Sequence, residues 1–174
     1  MMPYKQQAFS LVEALVTLAV LSTLVSIAIP SLSNTIQNNR QTTQTNQLIG
    51  ALNYARDKAI TSRGTVSLCA GNASCSNSTR WQQQILIFSD ANRDGLLNQE
   101  DTLLVVVSLA ESYSWNWSNF RNQNHMSYKP DGATHSLNGT FTLCLRDQST
   151  RAVAVNTSGR ARLATPSTIN ACTH

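Results

Sequence analysis

Arg160 and Arg162, one residue apart in Gly159-Arg160-Ala161-Arg162, are the side chains of this 174-residue chain whose type and spacing point most directly to binding chemistry. On a β-strand, residues two apart share a face about 6.6 Å from one another, a separation that suits neighbouring phosphates of a nucleic-acid backbone. A guanidinium presents a fork of N–H donors matched to phosphate oxygens, so arginine is the natural residue for such a contact. Asn156, Ser158 and Gly159 just upstream favour a turn, which makes the segment a strand leaving a hairpin. In that reading Arg151 falls on the partner strand with Arg146 nearby, and from 139 to 174 only Asp147 opposes the four arginines. The expected ligand is double-stranded DNA, held by its backbone with no reading of base sequence. A solvated basic hairpin is the competing reading of the same residues.

Other constellations carry less. Asp90, Asn92, Asp94 and Gly95 space oxygen ligands ahead of a turn glycine as a calcium loop does, but the twelfth position is Asp101 rather than Glu. The flanking sequence reads as strand, so a β-hairpin turn is expected there and no metal. His125, His135 and His174 have no serine, cysteine or carboxylate partner at a recognisable spacing, and no glycine-rich phosphate loop occurs. No enzymatic activity and no cofactor are therefore expected. Trp81, Trp115, Trp117 and Phe120 have faces that can stack on bases, yet aromatic residues beside strands more often pack a core.

Glu13 is the next residue that asks for an explanation, because it lies inside the apolar run of residues 9–29. As a helix those 21 residues span about 31 Å, close to the hydrocarbon thickness of a bilayer. A secretory signal peptide and an ordinary anchor each leave the carboxylate unaccounted for, since it costs roughly 2–3 kcal/mol toward the membrane centre unless paired. Ala8-Phe9-Ser10-Leu11-Val12-Glu13 resembles the leader junction of type IV prepilins. That resemblance implies a leader of residues 1–8, removed by prepilin peptidase between Ala8 and Phe9, although the family usually has glycine before the cut. It further implies N-methylation of Phe9 and retention of residues 9–29 as the membrane-spanning and filament-core half of the helix. Residues 30–174 then form the periplasmic or extracellular domain. Glu13 would pair with the N-terminal amine of a neighbouring subunit, other pilins and minor pilins being partners. The precursor is expected in the inner membrane, and the assembled protein in the periplasm and cell-surface pilus.

The elements that must position the arginines follow from periodicity. Pro30 is expected to kink the N-terminal helix, and Leu32, Ile36, Leu48, Leu52, Ala55, Ala59 and Ile60 continue it as an amphipathic stretch to about residue 62. The Asn- and Thr-rich stretch 38–47 is its weakest part. Short β runs follow at 65–70, 83–89, 102–109, 140–146, 151–156 and 160–164. The four cysteines, Cys69, Cys75, Cys144 and Cys172, all lie outside the apolar run and suit an oxidising compartment. Three connectivities are open; the near pairs 69 with 75 and 144 with 172 are favoured, closing a short loop and tying down the tail.

One long helix on antiparallel sheet is an α+β, type IV pilin-like fold. The segments 88–95, 128–132, 140–144 and 158–163 also resemble the FimT/GspH group of minor pilins and pseudopilins. Gly159, Arg160 and Arg162 are similar to the C-terminal signature associated with DNA binding in FimT, which would imply DNA uptake in natural transformation. A purely structural minor pilin and a type II secretion pseudopilin are the alternatives that the same leader, anchor and fold leave open.

Overall fold

The structure is a computed structural model that describes residues 10–164 and Cys172. Ala8 and Phe9, the residues of the expected leader junction, lie outside the described residues, as does His174. The chain divides into two compact units, residues 1–40 and 41–174.

Helix α1 runs Leu11–Ser62 with Pro30 inside it. In the first unit every described residue of α1 is exposed, including Leu15, Leu18, Leu21, Leu24 and Ile27. An 18-residue window there has a mean hydropathy of 2.2, long and apolar enough to cross a membrane. The four hydroxyls between Leu11 and Ile29 fold back on the helix: Thr17, Ser22, Thr23 and Ser26 donate to the carbonyls of Ala14, Ala19, Val20 and Thr23 at 2.8–2.9 Å. Each of these hydroxyls is thus satisfied within its own helix.

In the second unit α1 buries a stripe. Leu48, Leu52, Ala55 and Ala59 are inaccessible to solvent, spaced by four, three and four residues as one helical face requires. The polar stretch is helical too. Its side chains find partners: Thr45 donates to the Gln41 carbonyl at 2.7 Å, and Gln44 accepts from the backbone N–H of Ala110 at 3.3 Å. These contacts offset the low helix propensity that made 38–47 the weakest stretch by pattern.

Nine strands follow: β1 (Val66–Ala70), β2 (Arg80–Trp81), β3 (Gln84–Ser89), β4 (Thr102–Ser108), β5 (Tyr113–Asn119), β6 (His125–Tyr128), β7 (Gly139–Leu145), β8 (Gln148–Val155) and β9 (Ala161–Ala164). They pair antiparallel into two sheets, β4-β3-β1-β6 and β2-β5-β7-β8-β9. The α1 stripe shares one core with both, through Val66, Leu68, Ile85 and Ile87 on the first sheet and Trp115, Trp117, Phe141, Leu143 and Val153 on the second. Strands β2, β5 and β6 lie outside the runs read from periodicity. In β5 the inward residues are Trp115 and Trp117, but Ser114, Asn116 and Ser118 between them have the composition of a turn.

The tryptophans are core residues. Trp117 stacks on Phe141 with ring centroids 4.0 Å apart, and Trp81 meets Phe141 edge-on at 4.9 Å. The indole N–H groups of Trp81 and Trp117 donate to the carbonyls of Asn124 and His125, both at 3.1 Å. Only Phe120, 81% exposed, is left with a free face. Disulfides join Cys69 to Cys75 and Cys144 to Cys172. The first packs with Leu86, Phe88 and Leu97 under the connection between β3 and β4. In that connection, residues 90–101, Asp90 accepts from the Ser67 hydroxyl and the Gly95 N–H, and Asp101 accepts from the N–H groups of Ala91 and Asn98. The aspartates serve a hairpin connection, with carboxylate oxygens of Asp90, Asp94 and Asp101 within 4.8 Å of one another.

Candidate nucleic-acid interface

The arginine segment hangs on the turn between β8 and β9. Asn156 closes it: its backbone N–H donates to the Arg160 carbonyl at 3.2 Å, its carbonyl accepts from Gly159 N–H at 2.9 Å, and its Oδ1 accepts from Arg160 N–H at 2.8 Å. Gly159 has φ +79°, the left-handed region where a side chain is strained. A Cβ there would also lie 2.1 Å from the Gly132 carbonyl oxygen. The glycine of the segment is therefore a packing residue, whose hydrogen lets two loops touch.

Arg56 of α1 fixes that junction. Its Nε donates to the Gly132 carbonyl at 2.9 Å and its Nη2 to the Ser158 carbonyl at 3.3 Å. Thr134 adds a backbone N–H to the Thr157 carbonyl at 3.0 Å. Buried Tyr128 lies against the same spot. Burial pushes its phenol pKa far above the ordinary value, with the Arg56 guanidinium pulling the other way. Arg56 was not among the residues that sequence pattern singled out. Its partners are 76 and 102 residues away, and no local signal marks it.

Strand pairing settles which arginines share a surface. Arg162 pairs with Ala154; Arg160 stands just before β9, and continuing the strand's two-residue alternation by one residue puts it on that same face. Both are exposed, and neither forms an ion pair among the described residues. Arg151 does not join them. It pairs with Leu143, one strand over from Val153 paired with Leu163, and so lies on the core-side face of the sheet. Arg146 is also elsewhere: with Asp147 it makes the two-residue turn joining β7 to β8, both residues at positive φ (49° and 63°). The length of β8 separates that turn from Arg160, about 25 Å of strand. The sequence-based grouping of four arginines thus reduces to Arg160 and Arg162, because an alternating strand has two faces and two ends.

The description "Type II transport protein GspH" matches residues 44–159, more than half of the chain. The chain belongs to the GspH family. A second match, to the prokaryotic N-terminal methylation motif, covers residues 3–29. Together with the apolar half of α1, it assigns the precursor to the inner membrane and the assembled GspH-family subunit to the periplasm and cell surface. The protein is a minor type IV pilin or pseudopilin, not an enzyme, with other pilins and prepilin peptidase as its family's partners.

The solved structures of one minor pilin agree on the fold. The type IV minor pilin FimU of Pseudomonas aeruginosa is similar in two crystal forms, with TM-scores of 0.58 and 0.55 at 19% and 17% identity. The matches cover 78% and 74% of this chain and 98% of FimU in both cases. The minor pseudopilin EpsH of the Vibrio cholerae type 2 secretion system aligns with a TM-score of 0.44 at 13% identity, over 76% of this chain and 98% of EpsH. No curated protein matches by sequence. The GspH match ends at Gly159, so Arg160 and Arg162 stand outside the matched residues.

Proposed function

We propose that this GspH-family subunit is a minor type IV pilin that binds double-stranded DNA through Arg160 and Arg162 and so assists DNA uptake in natural transformation. The observation that carries the reading is the pair itself: two exposed arginines on one face, unpaired among the described residues, at phosphate spacing beside a turn pinned by Arg56 and Gly159. Such a contact neutralises backbone charge without touching base edges, so binding is weak, indifferent to sequence and sensitive to salt. With two phosphates engaged, the log–log salt slope is about −2. In the same reading prepilin peptidase cuts between Ala8 and Phe9 and methylates Phe9. Residues 9–29 enter the filament core, and Glu13 meets a neighbour's N-terminal amine.

A mobility-shift titration of a soluble form beginning at Ser31, which keeps the compact unit 41–174, tests the interface. The expected result is retarded duplex DNA for the parent and none at equal concentration for Arg160→Ala/Arg162→Ala; undiminished binding by the double variant would sink the assignment. The matched family's description favours a second reading, a pseudopilin of type II secretion. Deletion of the gene distinguishes them, since a pseudopilin's loss blocks protein export while leaving transformation intact.

A further inference from the structure

A cavity of about 260 Å³ opens among Arg93, Arg121, His125 and His135 and is used by nothing described above. One lining residue, His135, follows Thr134, the residue bonded to Thr157 of the β8–β9 turn. The volume is below the roughly 300–1,000 Å³ of sites for drug-sized ligands, so its occupant is small.

The lining converges donors from separate parts of the chain. Arg93 comes from the β3–β4 connection and Arg121 from the segment after β5; Thr65 comes from the start of β1, and His125 and His135 from β6 and the loop beyond it. Thr65 is only 5% exposed, and its hydroxyl has no hydrogen-bond partner among the described residues. The buried Nε2 of His135 is likewise without one. Buried polar atoms are almost always satisfied, so unpartnered atoms on two residues that line one polar cavity favour a polar ligand there. Both arginines have donors to spare. Arg93 makes no side-chain hydrogen bond among the described residues, and Arg121 spends one Nη1 donor on the His135 carbonyl at 3.3 Å.

Asp94, the acid in the lining, is already engaged. Its Oδ1 accepts from the N–H of Leu96 at 2.7 Å and its Oδ2 from the amides of Asn92 and Asn98 at 2.9 and 3.2 Å. Among the lining side chains the spare donors belong to Arg93 and Arg121; outside the lining, buried Asp90 acts on both histidines, and its Oδ1 has no partner among the described residues.

We propose that this cavity is a seat for a tetrahedral oxyanion of the phosphate and sulfate class, gripped by Arg93 and Arg121 and completed by the Thr65 hydroxyl and the His135 imidazole. Two guanidiniums and a hydroxyl are the donor set that such oxyanions take, and the orphaned atoms acquire acceptors when it binds. Burial leaves the histidines of the cavity reluctant to charge. Burial is the main cause of the lowered pKa of His135, with Lys129, Arg93 and Arg121 adding to it and Asp90 opposing. Burial also dominates for His125, where Asp90 and Asp94 oppose it and His135 and Arg121 reinforce it. An anion between these groups reverses that balance at His135, so binding tightens as pH falls.

The test is a sulfate titration of the full chain in non-ionic detergent micelles, followed by the histidine ring signals in NMR, with sodium chloride at equal ionic strength as control. Sulfate stays doubly charged throughout the range, so any pH dependence belongs to the protein. The expected result is a saturable shift of the His135 signals that chloride does not reproduce, several-fold tighter at pH 5.5 than at 7.5. Arg93→Gln, which removes no hydrogen bond of the described fold, weakens it tenfold or more. Arg160→Ala/Arg162→Ala leaves it unchanged, which separates this site from the proposed DNA contact. A short duplex that displaces sulfate would identify the natural ligand as a backbone phosphate, and one that does not would identify a free ion. A shift linear in sulfate, equal in chloride, or untouched by Arg93→Gln would overturn the proposal.

Discussion

The two ends of strand β8 carry arginines in opposite circumstances. At one end Arg146 and Asp147 form a bare two-residue turn, whose outside contact is the exposed pair of Arg80 with Asp147 at 3.3 Å. At the other, the turn before Arg160 is held by Arg56 from α1, by Thr134, and by a glycine-to-carbonyl contact that admits no side chain. Composition alone makes both ends basic. Only one has its backbone fixed from three directions, and fixed backbone is what lets an arginine meet a phosphate with little further loss of entropy.

The comparison breaks most readily at Gly159. Gly159→Ala sets a Cβ against the Gly132 carbonyl and a side chain at positive φ, and should cost about 3 kcal/mol or more in urea denaturation. A cost within 0.5 kcal/mol would mean the turn is not pinned there. Arg56→Met keeps the aliphatic stem but frees two carbonyls, for an expected loss of roughly 2 kcal/mol by the same measurement. It should also weaken DNA binding although Arg56 need touch no phosphate. Arg160→Ala/Arg162→Ala should leave the denaturation midpoint in place while lowering duplex affinity about tenfold, roughly 1.4 kcal/mol. At the bare end, Arg146→Ala should change DNA affinity less than twofold. Asp147→Asn, which removes the ion pair with Arg80 at its exposed end, should shift stability by no more than about 0.5 kcal/mol. Equal losses from the 146 and 160 ends would erase the distinction.

Much of this architecture is legible in the sequence, for reasons particular residues supply. Leu48, Leu52, Ala55 and Ala59 announce their helix face because one period governs them all. β5 stays hidden because serine and asparagine alternate with its tryptophans, and β6 because four residues are too few for an alternation to register. At the site, Arg160 and Arg162 are visible because their relation is local. The separation of Arg151 from them depends on the β8–β9 register, which pairs Arg162 with Ala154, three residues from Arg151 and so on the opposite face. Arg56 is invisible for the same reason in stronger form, since its contacts close loops of 76 and 102 residues.

The hydroxyls of Thr17, Ser22, Thr23 and Ser26 have a consequence for the life of the helix as well as for its fold. Each is spent on a carbonyl three residues back, so the run from Leu11 to Ile29 offers its surroundings a surface almost without polar demand. Such a surface is solvent-indifferent: exchanging acyl chains for the flanks of other helices breaks none of those hydrogen bonds, and the exchange can run in either direction. Glu13, the one charged side chain in that run, is then the only group on it able to tell the two media apart.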